Sequence, residues 1–421
     1  MTRAALAALA VSALAAPARA DTWTWDGGSS ELEVRNFYKS MLIGVRLPAV
    51  LAGATEAPQL GALWTHTTRT WGRLVLHDRY ELLAGWQLGA LVPTDRAFAA
   101  GVAPGSTVAV AGAPRARRRL VDFDPLLVQR GAMSIVHDLD LLAVKLDTSR
   151  AEITVGRQVL SWGSGHLWNP TDLLAPFSPT DIDREVRRGV DAVRAAIPFG
   201  ATTHLQLLWL PLPDLRDQGA VARLQVNAGG FDIAPSAAKY VRDTVIGLDV
   251  AGDLGPLGVH GEAAWTRALD LDARGNRDDF VRAVVGADAR PRDDVVVTAE
   301  YYFNGWGVTD PAGYLAVLSS DRVQRGEVFG AGRHYLGGSA VWRTSELLSL
   351  GGTALVNLAD PSALVIPSLE YWAEQKVLLR AGGYLPIGRR PTAAVPQDLA
   401  LRSEYGAAPF GVFAQLAIYL L

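Results

Sequence analysis

Val295 to Asn304 reads VVVTAEYYFN, and the order of its side chains decides the fold class. Val295, Val297, Ala299, Tyr301 and Phe303 share one face of an extended ribbon, while Thr298, Glu300 and Asn304 share the other with Tyr302. A period of two signals a strand, and about ten residues is the length with which a tilted strand crosses a bilayer. The unit recurs in both directions. Val259, Gly261, Ala263 and Trp265 alternate with His260, Glu262, Ala264 and Thr266, and Val281, Ala283, Val285, Ala287 and Ala289 oppose Arg282, Gly286, Asp288 and Arg290. Leu348, Leu350, Gly352, Ala354 and Val356 oppose Ser349, Thr353 and Asn357, and Val365, Leu369 and Tyr371 oppose Ser368, Glu370 and Trp372. Helical spacing persists over no long window, and glycines interrupt many of these segments.

Extended along the chain, the pattern predicts strands over 31–43, 71–92, 133–146, 151–161, 189–198, 201–211, 220–233, 240–252, 257–268, 279–290, 294–303, 332–344, 347–358, 362–373, 375–386 and 411–421. The fold class is all-β: an antiparallel transmembrane β-barrel of about sixteen strands. Segment 71–92 is long enough for two strands and 400–407 can also pair, so about 14 or 18 are open as well. Tight turns such as Asp147-Thr148-Ser149-Arg150 alternate with long connections such as 304–331 and 387–410, as in barrels with one short-turn rim and one long-loop rim. Segments 93–132 and 162–188 fall on the short-turn side of this count. Either the count is off by one or they fold into the lumen.

Residues Met1 to Ala20, MTRAALAALAVSALAAPARA, have the charged start, apolar middle and small-x-small end of a secretory signal peptide, with the mature chain, one domain over 21–421, starting at Asp21. Outside that segment nothing approaches the roughly 18 apolar residues of a spanning helix. The absence of Cys excludes disulfide scaffolds, thiolate zinc sites and cysteine nucleophiles. The 40 basic and 43 acidic residues nearly balance, which argues against nucleic acid as a partner. Trp209, Trp265, Tyr301, Trp342, Tyr371 and Tyr419 sit near strand ends, like aromatic girdles, and the terminal GVFAQLAIYLL ends inside a strand. Export plus alternation therefore implies the outer membrane of a Gram-negative bacterium, because a closed barrel satisfies every backbone donor without water.

The densest polar constellation runs from Val155 to Arg194. Gly156-Arg157-Gln158 leads into Ser161-Trp162-Gly163-Ser164-Gly165, Asn169-Pro170-Thr171-Asp172, the charged stretch Asp181 to Arg188, and finally Asp191-Ala192-Val193-Arg194. It is too polar for lipid and too rich in Pro for a strand, so 162–188 reads as a loop at the rim or in the lumen. Gly156, Arg157, Gln158, Trp162, Gly163, Gly165, Asn169, Pro170, Asp172, Asp191, Ala192 and Arg194 resemble the corresponding segment of Gram-negative porin-like barrels, similar to the alginate-export family and related barrels of unassigned function. In those families a GRQ strand precedes a large loop and a D-A-x-R strand follows it. The resemblance covers about 40 residues and implies a porin-like class without indicating a substrate.

The function expected is a channel for passive diffusion of small hydrophilic or anionic solutes, not an enzyme. The pore or constriction candidates are Arg157, Asp181, Asp183, Arg184, Glu185, Arg187, Arg188, Arg194, Arg223, Glu262, Arg282, Glu300, Glu370 and Arg380. Arg157 and Arg194 also have a purely structural reading, as braces of the loop. A polysaccharide exporter, a lipid hydrolase using Ser164 and His166, and a structural or adhesive barrel with a plugged lumen are the alternatives. The 7 histidines are dispersed with no HxxxH or HxH spacing, so no metal and no cofactor is expected. Expected partners are outer-membrane lipid, lipopolysaccharide and small solutes; the basic run 114–119 reads as an exposed solvated loop, with contact to lipopolysaccharide phosphates or nucleic acid as the alternative, and a homo-oligomer is compatible with the pattern.

Overall fold

The computed structural model describes residues 22–54, 58–95, 119–121, 126–268, 279–393 and 399–420. The signal peptide, most of the basic run, much of 93–132 and Leu421 lie outside the described residues.

Eighteen antiparallel strands close into a barrel rather than about sixteen. They are β1 (Ser30–Arg46), β2 (Leu60–Leu76), β3 (Tyr80–Pro93), β4 (Met133–Asp147), β5 (Glu152–Gln158), β6 (Val190–Pro198), β7 (His204–Leu210), β8 (Gly219–Ala228) and β9 (Phe231–Tyr240), followed by β10 (Asp243–Leu254), β11 (Leu257–Ala268), β12 (Phe280–Arg292), β13 (Val295–Asn304), β14 (His334–Arg343), β15 (Leu348–Asn357), β16 (Ser362–Glu374), β17 (Val377–Ile387) and β18 (Phe410–Leu420). Each pairs with its sequence neighbours, and β1 pairs with β18 from Asn36 opposite Leu420 to Arg46 opposite Phe410. Two short ribbons, Thr22–Trp25 and Leu126–Arg130, extend the ladders of β1 and β4.

Two expected strands each concealed a second one. Segment 71–92 is the hairpin β2–β3, whose turn at His77 and Asp78 takes positive φ and whose first strand begins at Leu60. Segment 220–233 runs through the turn at Gly229 and Gly230 into β9. That strand has small residues on both faces and carries Pro235, beside which the ladder to β8 is interrupted, since proline has no amide hydrogen to donate. The corrected count puts every long connection, including 94–132 and 159–189, on one rim, together with the short connections 241–242 and 358–361, and leaves only tight turns on the other.

The alternation places side chains as the sequence predicts. Glu262, Ala264 and Thr266 are buried inside, while Leu248, Val285, Leu336 and Val412 point outward, Val285 with 60 % exposure. Outward aliphatic surface around most of the sheet, a polar stretch of β1 and β2 excepted, is an apolar area that water does not tolerate and hydrocarbon does. Trp209, Tyr301, Trp342 and Tyr371 are exposed on this outer surface. Tyr419 is not part of the girdle: it falls on the inward face of β18, and its hydroxyl donates to Glu185 of the long loop at 2.8 Å.

Candidate functional site

Residues 159–189 leave β5 and fold into the barrel, where two acids of the wall hold their backbone. The Glu262 carboxylate, on β11, accepts from the Gly165 amide at 2.8 Å, the Thr171 amide at 3.0 Å, the Thr171 hydroxyl at 2.6 Å and the Asn169 amide group at 3.2 Å. Glu300, on β13, accepts from the amides of His166 at 2.5 Å, Leu167 at 3.1 Å and Trp168 at 3.2 Å, and faces His260 Nε2 at 3.0 Å. Ser164 donates to Asp249 of β10 at 2.5 Å. Gly163 makes this approach feasible: its φ is +92°, and a Cβ there would lie 2.6 Å from the Glu262 carboxylate. The W-G-x-G and N-P-x-D elements are thus a set of amide donors shaped to fit carboxylates on adjacent strands.

Apolar contacts complete the docking. Trp168 is buried and stacks on Tyr302 with centroids 5.2 Å apart, inside a cluster with Leu167, Met41, Val284 and Tyr384. Trp162 packs with Leu160, Leu173, Leu208 and Val221. Full burial of such side chains contributes about 1.5–3 kcal/mol each. This explains why Val284 and Tyr302 interrupt an otherwise polar inward face.

The charged end of the loop is tied to the opposite wall. Lys39 of β1 contacts Asp183 and Glu185, each at 2.6 Å. Burial pushes the Asp183 carboxyl up, but the Lys39 charge and hydrogen bond outweigh it and hold the group below its ordinary value. Asp181 accepts from the Ser178 amide at 2.8 Å. Arg184 clamps the loop from within, donating to the carbonyls of His166 (2.9 Å), Ser178 (3.2 Å) and Pro179 (2.8 Å), and its burial lowers the guanidinium pKa. Arg187 pairs with Asp172 at 2.6 Å and lies over the Phe177 ring. Burial raises the Asp172 carboxyl in spite of the Ala175 amide and Arg187.

The other candidates separate by position. Arg157 binds Asp191 through Nε at 2.7 Å and the Leu139 carbonyl at 2.7 Å, and Asp191 accepts from the Leu120 amide at 2.8 Å. The pair that marks the GRQ and D-A-x-R strands is a brace. Glu262 and Glu300 are likewise engaged by the loop and buried, at 3 % and 1 % exposure, so they do not line open space. Arg282 is buried beneath 305–333 and donates to the Glu327 carbonyl. Glu370 pairs with Arg380 at 2.6 Å, and Arg380 reaches Gln415 at 2.9 Å.

The docked loop divides the interior. Toward the long-loop rim lies a cavity of about 390 Å³ lined by Lys39, Arg119, Phe177, Arg187, Arg188 and Phe329 among others. Toward the short-turn rim lies a second of about 390 Å³, with Arg194, Arg223, Gln225, Asp232 and Asp249 in its wall. Arg223 pairs with Asp249 at 3.0 Å, and Arg194 approaches Glu152 at 3.3 Å.

Sequence reasoning missed Lys39 and Asp249, which alternate like any inward residue and gain their role only from what the loop brings to them. It also missed the meeting of His166, His260 and Asp288, whose ligand atoms all lie within 4.8 Å of one another. Their separation along the chain hides them from any spacing rule. Ser164 and His166 do not act together: the hydroxyl is bound to Asp249, whereas the imidazole Nε2 faces Asp288 at 3.1 Å.

Several solved structures share this architecture. OccAB3 of Acinetobacter baumannii has a TM-score of 0.56 at 9 % identity, covering 92 % of this chain and 98 % of that one. OpdK of Pseudomonas aeruginosa, solved with vanillate, has a TM-score of 0.55 at 9 % identity, with 92 % and 98 % covered. A BenF-like porin from Pseudomonas fluorescens Pf-5 has a TM-score of 0.54 at 9 % identity, with 92 % and 99 % covered. No family model and no curated protein matches the chain. The chain has the fold of Gram-negative outer-membrane porins, and its aliphatic exterior is that of a barrel seated in the outer membrane.

Proposed function

We propose that this protein is an outer-membrane channel through which small hydrophilic or anionic solutes diffuse passively. The observation that carries the reading is the docked loop: an 18-strand barrel has a bore wide enough for an aqueous lumen, and 159–189 narrows it while leaving a cavity on each side. Narrowing confers selectivity, since solutes must pass close to fixed side chains. Arg187 and Arg188 on one side and Arg194 on the other are part-exposed cationic groups along the passage, Arg187 and Arg194 within ion pairs. That OpdK was solved with vanillate, a carboxylate, supports an anionic solute class. The exporter and hydrolase alternatives have no such support, because the loop fills bore that a polymer needs and Ser164 lacks a histidine partner.

Planar-bilayer recordings of the purified full-length chain test this. Discrete conductance steps, reduced by small organic acids added to one chamber, are expected. A silent barrel would refute the channel. Arg188→Ala, in the wall of the cavity toward the long-loop rim, tests selectivity: its reversal potential in a salt gradient is expected to move toward cation preference.

A further inference from the structure

We propose that His166, His260 and Asp288 form a lumenal binding site for a divalent transition metal of the zinc class. His166 Nε2 and His260 Nδ1 lie 3.1 and 3.2 Å from the same oxygen, Asp288 Oδ2. Metal–ligand bonds of about 2.0–2.2 Å in a tetrahedral shell put neighbouring donor atoms roughly 3.3–3.6 Å apart, so these two spacings come within a few tenths of an ångström of such edges, and the two imidazole donors lie within 4.8 Å of each other. Two imidazoles and one carboxylate are a donor set suited to zinc, copper, nickel or iron, with a remaining position for water.

The groups around the triad fix its donors. His260 presents Nδ1 to the site while its Nε2 faces the Glu300 carboxylate at 3.0 Å, the arrangement that orients a ligating imidazole and strengthens it as a base. Asp288 is held through its other oxygen by the Thr298 hydroxyl at 2.6 Å. The His166 backbone is fixed by its amide bond to Glu300 at 2.5 Å. Gly286 leaves the room: a Cβ there would collide with the His260 ring. Access is open, for the His166 side chain is 54 % exposed and that of Asp288 26 %. Since His166 belongs to the loop and the other two donors to β11 and β12, a bound metal adds a cross-link between loop and wall.

The test uses the tag-free, chelator-treated full-length chain in detergent, titrated calorimetrically with zinc chloride, together with zinc-edge X-ray absorption of the loaded protein. One zinc per chain is expected, with two imidazoles in its shell, and affinity at least tenfold lower in His166→Ala. His204→Ala, elsewhere in the wall, is expected to bind as the wild type does. Absence of saturable binding, a shell without imidazole, or equal affinity in His166→Ala would each overturn the proposal. None of these outcomes depends on whether the barrel conducts, so the channel reading stands or falls separately.

Discussion

Replacing Glu300 by Ala removes the acceptor of three consecutive loop amides, His166, Leu167 and Trp168, and the partner of His260. Hydrogen bonds to a charged group contribute about 1.5–3 kcal/mol each, so the docked loop loses about 5 kcal/mol or more. At about 1.4 kcal/mol per factor of ten, the undocked population rises by more than about three powers of ten. The wall survives, because Glu300 pairs with Gly286 and Gly337 through its backbone. Trp168 on Tyr302 and the Glu262 contacts still favour docking, so the loop is expected to fluctuate rather than leave. Single-channel recordings with neutral polymers of graded size read this directly. Glu300→Ala should give a larger, noisier conductance and a larger polymer cut-off, with Glu300→Gln between it and the wild type. A cut-off and conductance indistinguishable from the wild type would refute the assignment of Glu300 as the anchor of the constriction.

Four further outcomes are expected. Val285→Arg, which puts a charge on the outward face, should destabilise the barrel in vesicles by about 2–4 kcal/mol in urea titrations, whereas a water-facing position would cost almost nothing. Arg157→Ala breaks a buried pair and leaves Asp191 with only amide partners, so the midpoint of heat unfolding followed by circular dichroism should fall, with a cost of about 3–5 kcal/mol. Asp183 has a folded pKa below its ordinary 3.8, so its tie to Lys39 stabilises docking above that value and is lost as pH falls through the lower folded pKa. Conductance should therefore rise reversibly only in that acid range, and a rise confined to neutral pH would contradict the assignment. Arg188→Ala, which removes one positive charge from the wall of the cavity, should shift the reversal potential in a salt gradient toward cation preference.

The wall was legible where outward and inward residues differ in kind, as in β11 to β13, because lipid on one side and a filled lumen on the other impose opposite chemistry on alternate positions. It was illegible in β2, whose Trp64, His66 and Thr70 face away from the lumen yet are polar. They are matched across the strand pair by Ser40 at 2.8 Å, Tyr38 at 2.7 Å and Asn36 at 2.6 Å, and such pairing leaves no hydrophobic contrast to read. The loop was legible from its Gly, Pro and charge density, and the bracing reading of Arg157 matches its geometry. The roles of Glu262 and Glu300 were not, since an inward carboxylate looks the same in sequence whether it meets solute or a row of amides. Only the folded path of 159–189 distinguishes the two.

The seam between β1 and β18 joins opposite ends of the chain. When the barrel closes, its last strand completes the ladder of its first. Until it arrives, a nascent sheet carries two unpaired edges, each a template for a stray strand from another molecule. Premature termination anywhere upstream of β18 would thus convert a self-limiting cylinder into an open-ended, association-prone ribbon.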